Sequence, residues 1–177
     1  MKQSTAIQGA SGTSSLKLMQ PGELVNRMRE TMDAVARRAF EIFETNGRRL
    51  GHDWDNWFQA EGEVLHPVHL QISETDGSLS VQAEVPGFTE KDLRVSVEPR
   101  RLTIVGKRET AEERKTGKTI YSERCSNQIF RSADLPVEVD AASDTVKAVY
   151  DQGVLTITLP KLAAGKTQKT KVEPKRS

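Results

Sequence analysis

Very little in this chain could fix a fold covalently or carry a reaction. One cysteine, Cys125, stands among 177 residues, so no internal disulfide can form. No apolar run approaches the ~20 residues that span a bilayer, and Met1 to Ser15 offers Ser, Thr, Gln and Gly where a secretory signal needs ~7–15 apolar residues. The expected compartment is therefore a reducing cytoplasm, with no membrane role. Net charge is also missing: 26 basic residues face 25 acidic ones, a formal balance of +1, so no global field draws the chain to nucleic acid or an anionic surface.

Convergent chemical groups are absent as well. His52, His66 and His69 fall between the helical and strand-rich regions without metal-ligand spacing, and are read as solvated or capping residues. Cys125 has no paired histidine motif, and Arg124 beside it is a weak activator, so the thiol is read as structural. There is no Gly-x-x-x-x-Gly-Lys-Ser/Thr loop to cradle a phosphate. Neither catalytic residue, metal nor cofactor is expected, and binding is the function class that remains.

What is present changes character along the chain. Residues 1–20, rich in Ser, Gly and Gln, cannot offset an ordering cost of about 1–2 kcal/mol per residue and are expected to be a disordered arm. From Glu23, Leu24, Met28, Met32, Val35, Ala39, Ile42 and Phe43 recur at helical steps, after Pro21-Gly22 and before a closing Asn46-Gly47. A second helix is expected over Trp54 to Leu65, with Asp53 as N-cap and Trp54, Trp57, Phe58 and Leu65 as one apolar stripe; Pro67 ends it. The segment assigned to this helical pair is 21–66.

Beyond Pro67 the apolar period becomes two. Val68, Leu70 and Ile72 alternate before Asp76-Gly77; Leu79, Val81, Ala83 and Val85 alternate before Pro86-Gly87; Leu93, Val95, Val97 and then Leu102, Ile104 follow. Lys107 to Lys118 is dominated by Lys, Arg, Glu and Thr and is expected to be an exposed loop. Strand character returns at Ile120-Tyr121 and at Ile129-Phe130, and Val146 to Leu159 reads as a hairpin about Asp151-Gln152-Gly153, stopped by Pro160. About eight short strands without helices between them predict an antiparallel, immunoglobulin-like β-sandwich over 67–161. Residues 162–177 form a basic tail; from Lys161 on it has six basic residues, one acid and no aromatic, a composition expected for a solvated, disordered end and not for nucleic acid binding.

Several separated segments carry a family pattern. Ala83-Glu84-Val85-Pro86-Gly87-Phe88, Lys91-Asp92-Leu93-Arg94-Val95-Ser96-Val97 and Leu102-Thr103-Ile104-Val105-Gly106-Lys107-Arg108 are followed by Glu123-Arg124, Arg131 and Leu135-Pro136. Gly153-Val154-Leu155 closes the series. In this order they resemble the alpha-crystallin domain of small heat-shock proteins. The preceding pair, Ala34 to Glu44 and Asp53 to Glu61, resembles a short bacterial domain of unknown function, which adds architecture and no mechanism.

The resemblance implies an ATP-independent holdase that binds partly unfolded proteins and limits their aggregation under stress; a co-chaperone-like module docking one folded partner is the alternative. It also implies a client or tail groove at Val95, Val97, Val146 and Ala148. It implies a homodimer in which the segment around Lys107–Lys118 reaches across to add a strand, with Ile120, Tyr121, Arg124 and Arg131 at that interface. Trp54, Trp57 and Phe58 are the second candidate client surface, read from the apolar stripe. Family tails usually carry Ile-x-Ile/Val, whereas here Thr170-Lys171-Val172 leaves Val172 as a single anchor. One buried valine contributes at most ~1.5–3 kcal/mol, against ~1–2 kcal/mol for each tail residue ordered, so higher oligomers are expected to be weakened.

Overall fold

Helix α1 (Pro21–Thr45) starts where its first turn is satisfied locally: the Glu23 carboxylate accepts from the Gln20 amide at 3.3 Å, and Pro21 takes the position whose N–H would have no partner. It ends in a left-handed cap, with Gly47 at φ 76° and amides of Gly47 and Arg48 returning to Glu44 and Phe43. Helix α2 (Asp53–Val64) is capped by His52, so Asp53 is its first helical residue and not its N-cap. Asp53 and Asp55 in the first turn then suit the positive end of the helix dipole. The computed structural model describes residues 16–116, 119–142 and 144–163.

The helices meet through Val35, Ala39 and Ile42 of α1 and Ala60 of α2, with Trp57 and Val64 packed beside them. Arg38 ties the pair from outside, donating to Glu41 at 2.8 Å and to Glu63 at 2.5 Å. Hydrogen bonds from Gln59 and Arg38 hold the Glu63 carboxyl below its usual range. That contribution is present at neutral pH and fades as acid protonates the carboxyl, but both partners are exposed and its effect is small.

Strands β1 (Leu70–Glu74), β2 (Ser78–Glu84), β3 (Leu93–Glu98), β4 (Arg101–Thr116), β5 (Thr119–Asp134), β6 (Lys147–Asp151) and β7 (Val154–Pro160) make two antiparallel sheets. Their orders are β1-β2-β7-β6 and β3-β4-β5. One face of each is apolar, and these faces enclose a single core of Leu79, Val81 and Ala83, Leu155, Ile157 and Leu159, Leu93 and Val95, Leu102 and Ile104, and Ile129. Gly106 sits between Leu93 and Ile129 in the register, and a Cβ there would approach Leu93, Ile129 and Phe88 at 3.1–3.3 Å, so only glycine leaves these three their full space.

Several expectations are corrected. Residues 107–116 are strand, not loop: β4 and β5 stay paired from Arg101↔Asp134 out to Thr116↔Thr119. Only 101–106 of β4 also pair with β3, so the remainder is a two-stranded arm, roughly 33 Å long at ~3.3 Å per residue. Its charged composition hid it, because a ribbon paired beyond the core-forming strands needs no apolar alternation. Seven strands, not eight, occur among the described residues. Pro160 does not stop the pairing either, since Lys161 N–H donates to Gly77 and Leu162 N–H to Glu138 beyond it.

Residues 16–20, expected within the disordered arm, depart from that expectation. Residues 16–20 are ordered: Leu18 forms a parallel bridge with Val95, Met19 N–H donates to the Val95 carbonyl at 2.8 Å, and Leu16 and Leu18 pack on the sandwich core. Two leucines and a buried methionine offset the ordering cost that the surrounding polar composition suggested could not be met.

Candidate functional site

Hydrogen bonding leaves a sandwich with open edges, and edges are where an extended polypeptide can add. Of the three-stranded sheet, β3 is met by Leu18 at Val95, and β5 by the exit of α2, where Leu65 bridges Gln128 and His66 N–H donates to the Gln128 carbonyl at 2.7 Å. Each cap covers one position. The four-stranded sheet ends in β1 and β6, which pair with no further strand among the described residues. Ile72 on β1 and Val149 on β6 are exposed large aliphatics.

Of the four groove residues read from sequence, Val97, Val146 and Ala148 are half-buried at the border of the core. Val95 is different: its side chain is fully buried between the sheets, so it presents only its backbone to a ligand. The period-two pattern places Val95 and Val97 on one face but does not say how deep each lies; Val97 is nearer the strand's open end.

The tryptophan stripe divides. Trp54 and Phe58 are 73% and 62% exposed and stack at 6.1 Å, forming an outward aromatic pair. Trp57 turns the other way, onto Ala60, Val64 and α1. At about 100° per residue, Trp57 and Phe58 cannot share a face, and the inward spacing Trp57, Ala60, Val64 is the one α1 covers. Trp57 is thus removed from the candidate surface.

Arg131 stands opposite Ile104, in register with core-facing positions, yet is exposed because β5 is an edge strand. The backbones of Ile120, Tyr121 and Arg124 lie on the outer part of β5, opposite Lys115, Arg114 and Ala111. Their side chains, that of Cys125, and all of Val172 lie outside the described residues.

The segments singled out by pattern meet in space. The Val85 amide donates to the Gly153 carbonyl at 2.7 Å, Tyr150 Oη donates to the Phe88 carbonyl at 2.5 Å, and Arg108 donates to the Gly87 carbonyl. Gln152 and Gly153 both have positive φ, 44° and 87°, as a two-residue hairpin turn requires. Gly87, at φ 83°, gives the neighbouring turn its bend. These bonds lock the β2–β3 connection onto the β6–β7 hairpin and so fix the β6 edge. Tyr150→Phe leaves the Phe88 carbonyl without this donor and is expected to cost about 1 kcal/mol, read as a lowered urea midpoint with an unchanged slope.

Polar clusters make no comparable site. Among the described residues no three His, Cys, Asp or Glu gather as a metal site. A cleft at the α1–α2 turn includes His52 and Asp55, 3.0 Å apart, but both are exposed and its one hydroxyl, Thr45 Oγ1, is committed to the Glu41 carbonyl. His66 packs edge-on against Phe88, and the His69 carbonyl accepts from Glu84. Sequence reasoning missed Leu16, Leu18 and Met19. The signal was there, a Leu-x-Leu alternation of strand period directly before the Pro21 helix start.

Comparison with known proteins finds two family models that match this chain. The Hsp20/alpha crystallin family model matches residues 71–173, and a model of a protein family of unknown function, DUF2934, matches residues 30–66. Small heat shock protein C2 of Rickettsia felis is 36% identical over 102 residues, covering 58% of this chain and 65% of that relative, just under two thirds of its length. Heat shock protein HSP.16.4 of Streptococcus thermophilus is 32% identical over 141 residues, covering 78% of this chain and 91% of that relative. A solved small heat-shock protein from Xylella fastidiosa is 28% identical with a TM-score of 0.43, covering 62% of this chain and 98% of the other.

Proposed function

Because this chain belongs to the Hsp20/alpha crystallin family, we propose that it is a stress chaperone acting as an ATP-independent holdase, retaining partly unfolded proteins on its sheet edges without chemistry. The observation that carries this reading is the β6 edge, which pairs with no further strand among the described residues and carries the half-buried Ala148, with Val146 just before it and Val97 half-buried on β3. An unfolding client supplies what such edges lack: backbone donors and acceptors in extended form, and alternate apolar side chains to bury. The exposed Trp54 and Phe58 pair is a second adhesive surface, suited to many sequences because aromatic faces bind without strict register.

The working unit is a homodimer formed by the β4–β5 arm. An arm of this length reaches across a small domain, and β1 offers the edge on which a second copy's arm can pair. Ile120, Tyr121, Arg124 and Arg131 belong to that interface, with Arg131 already on the rim of β5. Val172 alone is too weak an anchor for a large shell, and cytoplasmic residence follows the composition.

The test is light scattering of a heat-denaturing model protein. One molar equivalent of this chain is expected to suppress most of the scattering with no nucleotide present, and added ATP to change nothing. Unaltered scattering, together with a monomeric chain, would remove the holdase reading and favour a module that docks one folded partner.

A further inference from the structure

Between the first turns of α1 and the three-stranded sheet lies a cavity of about 140 Å³, lined by Arg27, Lys91, Asp92, Arg94, Val105 and Lys107. Four of these six side chains are cationic. Arg94 and Val105 are paired in register on the side of the sheet away from Val95 and Ile104, so the cavity belongs to the outer face and not to the core. The carboxylates nearby are committed. Asp92 Oδ2 accepts from the Thr89 amide at 2.7 Å and from its hydroxyl at 2.8 Å, Glu30 pairs with Arg27 at 3.0 Å, and Glu109 pairs with Lys107 at 3.0 Å.

Lys91 and Arg94 have no carboxylate partner among the described residues, and Arg94 is held by the backbone instead. Its Nη1 donates to the carbonyls of Lys91 at 2.9 Å and Leu93 at 2.7 Å, which leaves Nε and Nη2 with no acceptor among the described residues. The guanidinium is half-buried beside the buried Val105, where charge acts through a less polar medium. No hydrogen bond or ion pair crosses from α1 to β3 or β4 among the described residues. Cations of two elements thus share one small cavity, an arrangement that raises the local concentration of anions.

We propose that this cavity is an oxyanion site, in which the Arg94 fork, Arg27 and Lys91 take one inorganic phosphate and the bound ion links α1 to the sandwich. A planar guanidinium offers two parallel donors to a tetrahedral oxyanion, while lysine adds a point charge, and both kinds are present. Size selects among phosphates. The cavity is well below the ~300 Å³ at which pockets begin to hold drug-sized molecules, so a free ion fits and a nucleotide does not. The site stands apart from the holdase reading and survives its failure.

The experiment titrates sodium phosphate into the full chain by calorimetry, with ionic strength held constant by sodium chloride. Arg94→Gln and Arg27→Gln are compared with Arg29→Gln, which makes the same charge change at an exposed α1 position outside the cavity. Wild type and Arg29→Gln are expected to show saturable binding, weakened at least 10-fold in Arg94→Gln and several-fold in Arg27→Gln, as expected where hydrogen bonds to a charged group are lost. Phosphate is also expected to slow amide hydrogen exchange over residues 23–30 in the wild type and not in Arg94→Gln. No saturable heat in the wild type, equal affinities for Arg94→Gln and Arg29→Gln, or binding that leaves exchange over 23–30 unchanged would each overturn the proposal. If the circular dichroism of Arg94→Gln is not native, Lys91→Ala replaces it at an exposed position, with an expected loss of several-fold, and an unchanged affinity there overturns the site equally.

Discussion

Replacing residues 111–124 by Asn-Gly is expected to yield a folded monomer, whereas the full chain is expected to sediment as a dimer. Thr110 and Cys125 are paired across the arm, so a two-residue turn closes the shortened hairpin without altering register. The segment left in place, 101–106 against β3 and 129–134, holds the sandwich side of β4 and all of its contact with the core. Among the described residues the segment removed pairs only with itself, and a lone two-stranded ribbon is marginal in water, so in the dimer proposed above it gains by pairing with a second copy. Sedimentation equilibrium should report one protomer mass, with a thermal transition within a few degrees of the wild type. A variant that still sediments as a dimer would remove the arm from the assembly and place the contact elsewhere, on β6 or the helices.

Leu155→Ala is expected to be the most damaging single truncation in the sandwich. Leu155 is fully buried, pairs with Ala83 on one side and Tyr150 on the other, and lies where the two signature turns converge. Emptying such a site costs ~2–5 kcal/mol, set against a total stability of ~5–15 kcal/mol. Since 1 kcal/mol moves the midpoint of a domain this size by ~4–8 °C, a fall of at least about 10 °C should appear in calorimetry. Val154→Ala, one residue away and 38% exposed, is the internal control and should move it far less. Equal shifts would mean that the two faces of β7 are not divided as the packing has them.

The sandwich was legible because its strands are half-buried. Leu79, Val81 and Ala83, or Leu155, Ile157 and Leu159, announce one dry face by alternation alone. Elements that bury little were not. The arm from Lys107 outward is polar on both faces, so its composition is that of a loop while its backbone is that of a ribbon. Leu16 and Leu18 alternate at strand period before Pro21, but two residues are too short a run to outweigh the Ser-rich composition around them. In α2, Trp54, Trp57 and Phe58 are all apolar, and periodicity cannot say which of two adjacent faces will meet α1; the small Ala60 decided it by allowing close approach beside Trp57.

The candidate site followed the same division. Which strands are edges follows from strand order, and strand order came only with the structure, since alternation is blind to neighbours. Which edge is already filled came only from the contacts of Leu18 and Met19.

The exit of α2 is fastened at Gln128, and Gln128 pairs with Lys107, the first residue of β4 beyond the reach of β3. The helical pair thus meets the arm at its base. A small rotation of α2 would swing the far tip through a much larger arc and reorient a neighbouring molecule bound there. In the dimer proposed above, the appended helices would therefore stand where they can steer the arm and not merely add bulk.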